Sequence, residues 1–146
     1  MSEANADLLR AVADAFNARE WDRAGELMTD DVQFEDVATG VSLRGPEGFV
    51  GYAQSWAGAF PDMRIETVSV VADGTHVAGE FKGGGTHQGT LPTRAGDIPA
   101  TGRRFEERFI FYCDVADGRL SGVRDYYNAM SVMTQLGLIP EPAAAS

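Results

Sequence analysis

Few groups in this sequence can move protons. Asp125 stands in the alternating run Val123-Arg124-Asp125-Tyr126-Tyr127, and Asp36 closes a shorter one, Val32-Gln33-Phe34-Glu35-Asp36. Two carboxyl groups suffice for general acid–base chemistry when burial or a neighbouring charge tunes them. Strand alternation places Val123, Asp125 and Tyr127 on one face, and Glu106, Arg108, Ile110 and Tyr112 on one face of the preceding strand. A turn centred near Ala116-Asp117 then brings Arg108 close to opposite Asp125, a cross-strand pair of opposite charge. The plainer reading makes Asp125 a strand carboxylate satisfied by Arg108 or Arg124. Asp36 precedes the turn-like Ala38-Thr39-Gly40, where an aspartate often binds its own backbone. Of the two histidines, His76 beside Asp73-Gly74 reads as a surface residue. His87 reads either as a hydrogen-bonding group for a substrate oxygen or as a tie between strands.

Several chemistries are excluded. A single cysteine, Cys113, allows neither an internal disulfide nor a thiolate metal cluster. The two histidines lack a defined carboxylate partner, so no metal site is expected. Gly83-Gly84-Gly85 is followed by strand residues rather than by Lys-Ser/Thr at a helix start, so it is no phosphate loop. Gly-x-Ser-x-Gly is absent, and no cofactor is expected. Twelve Lys and Arg against 22 Asp and Glu give a formal charge of -10, which repels phosphate backbones and anionic lipid. Nucleic acid and membranes are therefore not expected partners. No apolar run reaches the roughly 18–20 residues of a bilayer span, and the first residues are acidic, so the chain reads as soluble and cytoplasmic.

With 146 residues, 44% hydrophobic and 23% charged, the chain is expected to form one domain with a substantial core. Leu8, Val12 and Phe16 recur at helical spacing, with Asn5 or Asp7 as the cap. A short helix after Trp21 follows, capped by Asp22. Pro46 opens a third helix with Phe49, Tyr52, Ala53 and Trp56 on one face. From Arg64 to about Tyr127 the pattern is strand and turn, interrupted at Gly83-Gly84-Gly85, where a bulge, a bend or a close neighbour is expected. Residues 91–102 read as a polar loop, Met130 to Leu138 as a helical ending, and residues 139–146 as a disordered tail. Helices followed by a meander of long strands predict an α+β fold, a curved antiparallel sheet wrapped around the N-terminal helices and enclosing a pocket.

In order and spacing, Phe34-Glu35-Asp36, Gly45-Pro46, Gly85-Thr86-His87-Gln88-Gly89, Pro99-Ala100-Thr101-Gly102-Arg103, Asp117-Gly118-Arg119-Leu120 and Gln135-Leu136-Gly137 resemble the NTF2-like superfamily. Within it the sequence is most similar to the SnoaL-like polyketide cyclases, or ester cyclases, over residues 6–138. The resemblance implies a cone-shaped fold, and it makes the faces carrying Arg108 and Asp125 the cavity faces. It matches Asp125 to the acid/base aspartate of an intramolecular aldol closure, and Asp36 to the general-base position of the related ketosteroid isomerases. Val12 and Ile110 stand where those isomerases carry their oxyanion donors, so steroid isomerisation is not expected. Limonene-type epoxide hydrolases use Asp-Arg-Asp on the same strands; Arg108 and Asp125 supply two members, Ile110 removes the third, and Glu106 is the nearest substitute.

The expected function is a cofactor-free aldol-type ring closure of a polyketide or related polycarbonyl compound. Asp125, Asp36, Arg108 and His87 are the catalytic candidates. Phe34, Tyr52, Trp56, Glu106, Ile110 and Tyr127 are the expected wall around a hydrophobic, carbonyl-bearing substrate. An epoxide-opening hydrolase or cyclase and a non-catalytic small-molecule binder are the alternatives. A homodimer is expected because Phe105, Phe109, Phe111 and Cys113 lie opposite the assumed cavity face, which leaves apolar side chains on both sides of that strand.

Overall fold

The computed structural model describes residues 2–140, so most of the expected 139–146 tail lies outside the described residues. Three helices, α1 (Ser2–Ala18), α2 (Trp21–Glu26) and α3 (Pro46–Ala59), are concentrated in the first half of the chain. Strands β1 (Met28–Asp36) and β2 (Val41–Arg44) are interleaved with them. Strands β3 (Arg64–Ala72), β4 (His76–Thr86), β7 (Arg104–Ala116) and β8 (Arg119–Tyr127) complete one curved six-stranded sheet in the order β2-β1-β8-β7-β4-β3. Inside the expected polar loop, β5 (Leu91–Thr93) and β6 (Gly96–Ile98) form a separate small hairpin, and α4 (Ala129–Gln135) ends the described fold. The α+β expectation is met with one difference. The sheet is mixed, because β1 runs parallel to β8 while its other neighbours are antiparallel.

Helix α1 starts five residues earlier than the expected Asp7. Asn5 is therefore not a cap; it is buried inside the first turns and donates from Nδ2 to the Asp73 carbonyl at 2.8 Å. At the other end Asn17 acts as a surrogate strand partner. Its Nδ2 donates to the Ile65 carbonyl and its Oδ1 accepts from the Ile65 N–H, both at 2.8 Å. The apolar stripe of α1, Leu9, Val12, Ala13 and Phe16, is thereby clamped over the concave sheet. In α3, Pro46 occupies the first turn, where its missing N–H is not needed, and Phe49, Ala53, Trp56 and Ala59 are buried.

Strand β4 runs unbroken through Gly83-Gly84-Gly85, each paired with β7. Of the three expectations at Gly83-Gly84-Gly85, the close neighbour is the one realised. A Cβ on Gly85 would lie 2.9 Å from Phe60 Cβ and 3.2 Å from Met63 Cα, and one on Gly83 would lie 3.1 Å from the Phe109 ring. The bare strand thus admits Phe60, Phe105 and Phe109 into the core, where all three are buried. Among the described residues no helix is long and apolar enough to cross a membrane. Replacing Gly85 by Ala pushes a methyl group into the Phe60 side chain and the Met63 backbone. Chemical denaturation is expected to show a loss of about 1–3 kcal/mol.

Candidate active site

The concave face of the sheet and helices α1 and α3 enclose an apolar cavity. Leu9, Val12 and Phe16 line it from α1, Tyr52, Ala53 and Trp56 from α3, and Phe81, Phe109 and Phe111 from the sheet. Asp125 is the one acidic residue in this lining. The room open to the centre of a water molecule is about 50 Å³, enough for about three to five waters. Val12 indeed lies on the wall. Trp56 fills the wall edge-on to Tyr127 and Phe109, with ring centroids 5.8 and 6.1 Å away.

Behind the lining, the parallel register of β1 and β8 sets Asp36 beside Asp125, and both residues are only 2% exposed. Asp36 is saturated with donors. Tyr52 Oη donates to its Oδ2 at 2.6 Å and Tyr127 Oη to the same oxygen at 2.9 Å, while the Thr39 N–H donates to Oδ1 at 3.0 Å. The last of these is the backbone capture expected for an aspartate before a turn. Asp125 is nearly bare: Tyr52 Oη lies 3.3 Å from its Oδ2, and its buried Oδ1 has no partner.

Burial pushes the Asp125 carboxyl well above the usual carboxylate range, and the Asp36 charge beside it pushes the same way. Burial likewise raises both phenols above the ordinary tyrosine value, so Tyr52 and Tyr127 remain donors at neutral pH. A buried acid whose proton is held more tightly than usual, in an apolar cavity, can deliver that proton to an oxygen that acquires negative charge. Among the described residues no three His, Cys, Asp or Glu side chains come together as a metal-ligand set.

Residues 6–136 match the family of SnoaL-like polyketide cyclases. The chain belongs to this SnoaL-like family. Aklanonic acid methyl ester cyclase DnrD of Streptomyces peucetius is 28% identical over 137 residues, covering 90% of this chain and 89% of its own length. Aklanonic acid methyl ester cyclase DauD of Streptomyces sp. (strain C5) is 28% identical over 133 residues, 90% of this chain and 80% of that protein. Among solved structures, a SnoaL-like protein of Jannaschia sp. CCS1 superposes with a TM-score of 0.82, covering 95% of each chain at 18% identity, a likeness of fold.

In this SnoaL-like chain the structure corrects the sequence reading on β7. Asp125 pairs with Phe111, not with Arg108. Two local features of the β7–β8 hairpin move the register. Asp117 and Gly118, both at positive φ, form a tight two-residue turn, and Ser121 is an extra residue between the pairs Val115↔Leu120 and Asp114↔Gly122. An odd shift inverts every side chain of one strand relative to the other. Phe105, Phe109 and Cys113 are therefore buried inside, with Phe111 on the cavity wall, and the residues expected there point out. Arg108 pairs with Glu80, and Glu106 lies 3.4 Å from Lys82. Ile110 is 40% exposed and Tyr112 is 37% exposed, with the Arg124 guanidinium over the Tyr112 ring. None of these side chains reaches Asp125, so neither an Asp-Arg-Asp set nor a salt bridge to Arg108 or Arg124 forms there.

The remaining predicted residues divide differently. Tyr52 and Trp56 line the cavity, whereas Phe34 is fully buried behind it, its ring 4.5 Å from that of Tyr52. His87 is completely buried but sits outside the lining. Its Nδ1 accepts from the Thr101 N–H at 3.2 Å and its ring lies 5.2 Å from Phe60, which favours the tie between strands. Burial holds its imidazole below the ordinary histidine value, so it is neutral at pH 7. What the sequence reading missed is the donor role of Tyr52 and Tyr127 toward Asp36. Both were assigned to the substrate wall, and only the β1–β8 pairing reveals what they hold.

The raised Asp125 value makes stability depend on pH. Below the ordinary carboxylate range both folded and unfolded chains hold the proton. As pH rises above it, the unfolded chain gains by ionising while the folded one does not, and the stability this residue contributes at low pH is lost. Asn at this position removes that loss. The melting temperature of Asp125→Asn is expected to exceed that of the parent by about 3–8 °C at pH 8, with the difference vanishing near pH 4. A constant difference across that range in calorimetry would show that Asp125 is not buried as an acid.

Proposed function

We propose that this SnoaL-like protein catalyses a cofactor-free, aldol-type ring closure of a polyketide or related polycarbonyl compound, in the cytoplasm, with Asp125 as the acid. One observation carries the reading: a buried carboxyl with an unpartnered oxygen is the one acidic residue on an otherwise apolar cavity wall. As the enol carbon of the substrate attacks a carbonyl carbon, a C–C bond forms and the carbonyl π pair moves onto oxygen. That oxygen takes the Asp125 proton. As the C–C bond forms, the attacking enol becomes a ketone and loses its O–H proton, which returns to the Asp125 carboxylate, so the cycle is balanced without a cofactor. A carbon flanked by carbonyls is acidic enough to need little help, and the shaped apolar wall supplies orientation. The curated relatives that bear the name cyclase agree with this class of reaction.

Asp36 plays no direct part in the proposal. Its oxygens are occupied by Tyr52, Tyr127 and Thr39, and it is absent from the lining, so it supports Asp125 rather than meeting substrate. Arg108 and His87 are likewise left out. The present cavity is smaller than a multi-ring substrate, and such a substrate enters only if wall side chains such as Trp56 and Met63 rotate away.

Asp125→Asn is expected to lower kcat by about 10²–10⁴-fold on a polycarbonyl substrate that cyclises under turnover by the parent protein, with KM little changed. Full activity in that variant would remove Asp125 from the chemistry. The homodimer is proposed on a revised basis. Ile110, Tyr112 and Tyr126, each at least 37% exposed, leave an apolar patch on the convex side of the sheet. Light scattering on the eluting protein is expected to give twice the chain mass, and a monomer at micromolar concentration would overturn it.

A further inference from the structure

We infer that Asp36 and Asp125 share a single proton at neutral pH, and that Tyr127 decides which of them keeps it. The Tyr127 hydroxyl is given wholly to Asp36, leaving the proton on Asp125. This deepens the proposed function by naming what holds its acid in the required state, and it rests on Asp125 being that acid.

The hydrogen atoms available to the two carboxyls can be counted. Tyr52 and Tyr127 have one hydroxyl proton each. Tyr127 reaches only Asp36, at 2.9 Å. Tyr52 touches both carboxyls, but its contact with Asp36 is 2.6 Å and that with Asp125 is 3.3 Å, so its proton lies toward Asp36. The Thr39 N–H adds a third donor to Asp36. Asp36 therefore accepts three hydrogen bonds and Asp125 none. A charge on Asp125 would be buried with Oδ1 unpartnered, an arrangement that carries a large desolvation penalty. A proton on Asp125 removes it. On Oδ2 the acid O–H donates to Tyr52 Oη, and on Oδ1 it is ready for a substrate oxygen. Both carboxyls ionised side by side would be opposed by mutual repulsion, as in other carboxylate pairs that share a proton.

Among the described residues no charged side chain forms a hydrogen bond or ion pair with Asp125. Facing Asp125 are Asp36 from β1, Tyr52 from α3, Tyr127 from its own strand, and from β7 the Cys113 thiol, which burial raises and keeps neutral. Helix α1 presents only Leu9, Val12, Ala13 and Phe16 to the cavity. The direction in which burial and Asp36 move the Asp125 carboxyl agrees with the count of donors. Tyr52 is shared between the two carboxyls, and the Thr39 contribution is backbone. The one side chain that serves Asp36 and does not touch Asp125 is thus Tyr127, a positioning residue that acts through Asp36.

The test reads protonation directly, without substrate. With ¹³C-labelled aspartate in the full chain, the Asp125 carboxyl carbon is expected to resonate as a carboxylic acid at pH 7 and that of Asp36 as a carboxylate. Tyr127→Phe removes one ring hydroxyl and no packing atoms. It is expected to shift the proton ratio between Asp125 and Asp36 at least tenfold toward Asp36. Asp36→Asn removes the neighbouring charge and is expected to lower the Asp125 titration midpoint by at least one pH unit. An ionised Asp125 in the parent protein at pH 7, or carboxyl resonances that neither variant moves, would overturn the inference. If these spectra hold while Asp125→Asn keeps full cyclase activity, proton placement stands and the proposed reaction falls. Normal loss of activity in Asp125→Asn with unmoved spectra would leave Asp125 catalytic and remove Tyr127 from its control.

Discussion

The site depends on one strand pairing. Strand β1 runs parallel to β8 from Gln33 to Asp36, and the pairing stops where the chain turns away at Val37, whose N–H still donates to the Asp125 carbonyl at 3.0 Å. Parallel pairing puts like residues of the two strands in step. Phe34 thus sits beside Val123 and Asp36 beside Asp125. A parallel neighbour requires a long crossover, and here β2, α3 and strands β3 to β7 all lie between β1 and β8 in the chain. The two carboxyls that meet are therefore 89 positions apart, counted from 36 to 125 in the sequence. Nothing local to either strand dictates that they meet.

Much of the fold was legible because its signals are local. Pro46 at a helix start, the helical spacing of Leu8, Val12 and Phe16, and the alternation of Val32, Phe34 and Asp36 each record their own environment. Asp36 and Asp125 were legible as candidates for the same reason, each on the apolar face of an alternating run. Arg108 was not, and the cause is two local features of one hairpin. The tight turn alone would have set Asp125 opposite Ile110. The extra Ser121 moves it to Phe111, and the turn centre assumed from sequence missed both features. The phenylalanines of β7 carried the correct answer in their own parity, with Phe105 and Phe109 buried and Glu106 and Arg108 at the surface. Hydrophobicity on a strand is a firmer guide to its inner face than a charge pair inferred across a hairpin.

The cavity joins two demands that conflict in most proteins. An aromatic wall of Trp56, Phe109, Phe111 and Phe81 makes any unpaired polar group within it expensive. The chain meets this by grouping its polar atoms. Two tyrosine hydroxyls, one backbone N–H and two carboxyls form a single knot at the edge of β1 and β8, from which only Asp125 and Tyr52 reach the lining. Membership of the SnoaL-like family accounts for the scaffold. The polar knot is what this particular sequence builds on it.

A buried acid whose proton is held more tightly in the native state has a consequence for the folding reaction itself. Between the ordinary carboxylate value and the raised one, the unfolded chain carries Asp125 as a carboxylate and folding draws a hydrogen ion from the solvent. The driving force for that uptake is the collapse of the aromatic wall around it. That hydrogen is in this sense loaded during assembly, and the buffer is its source.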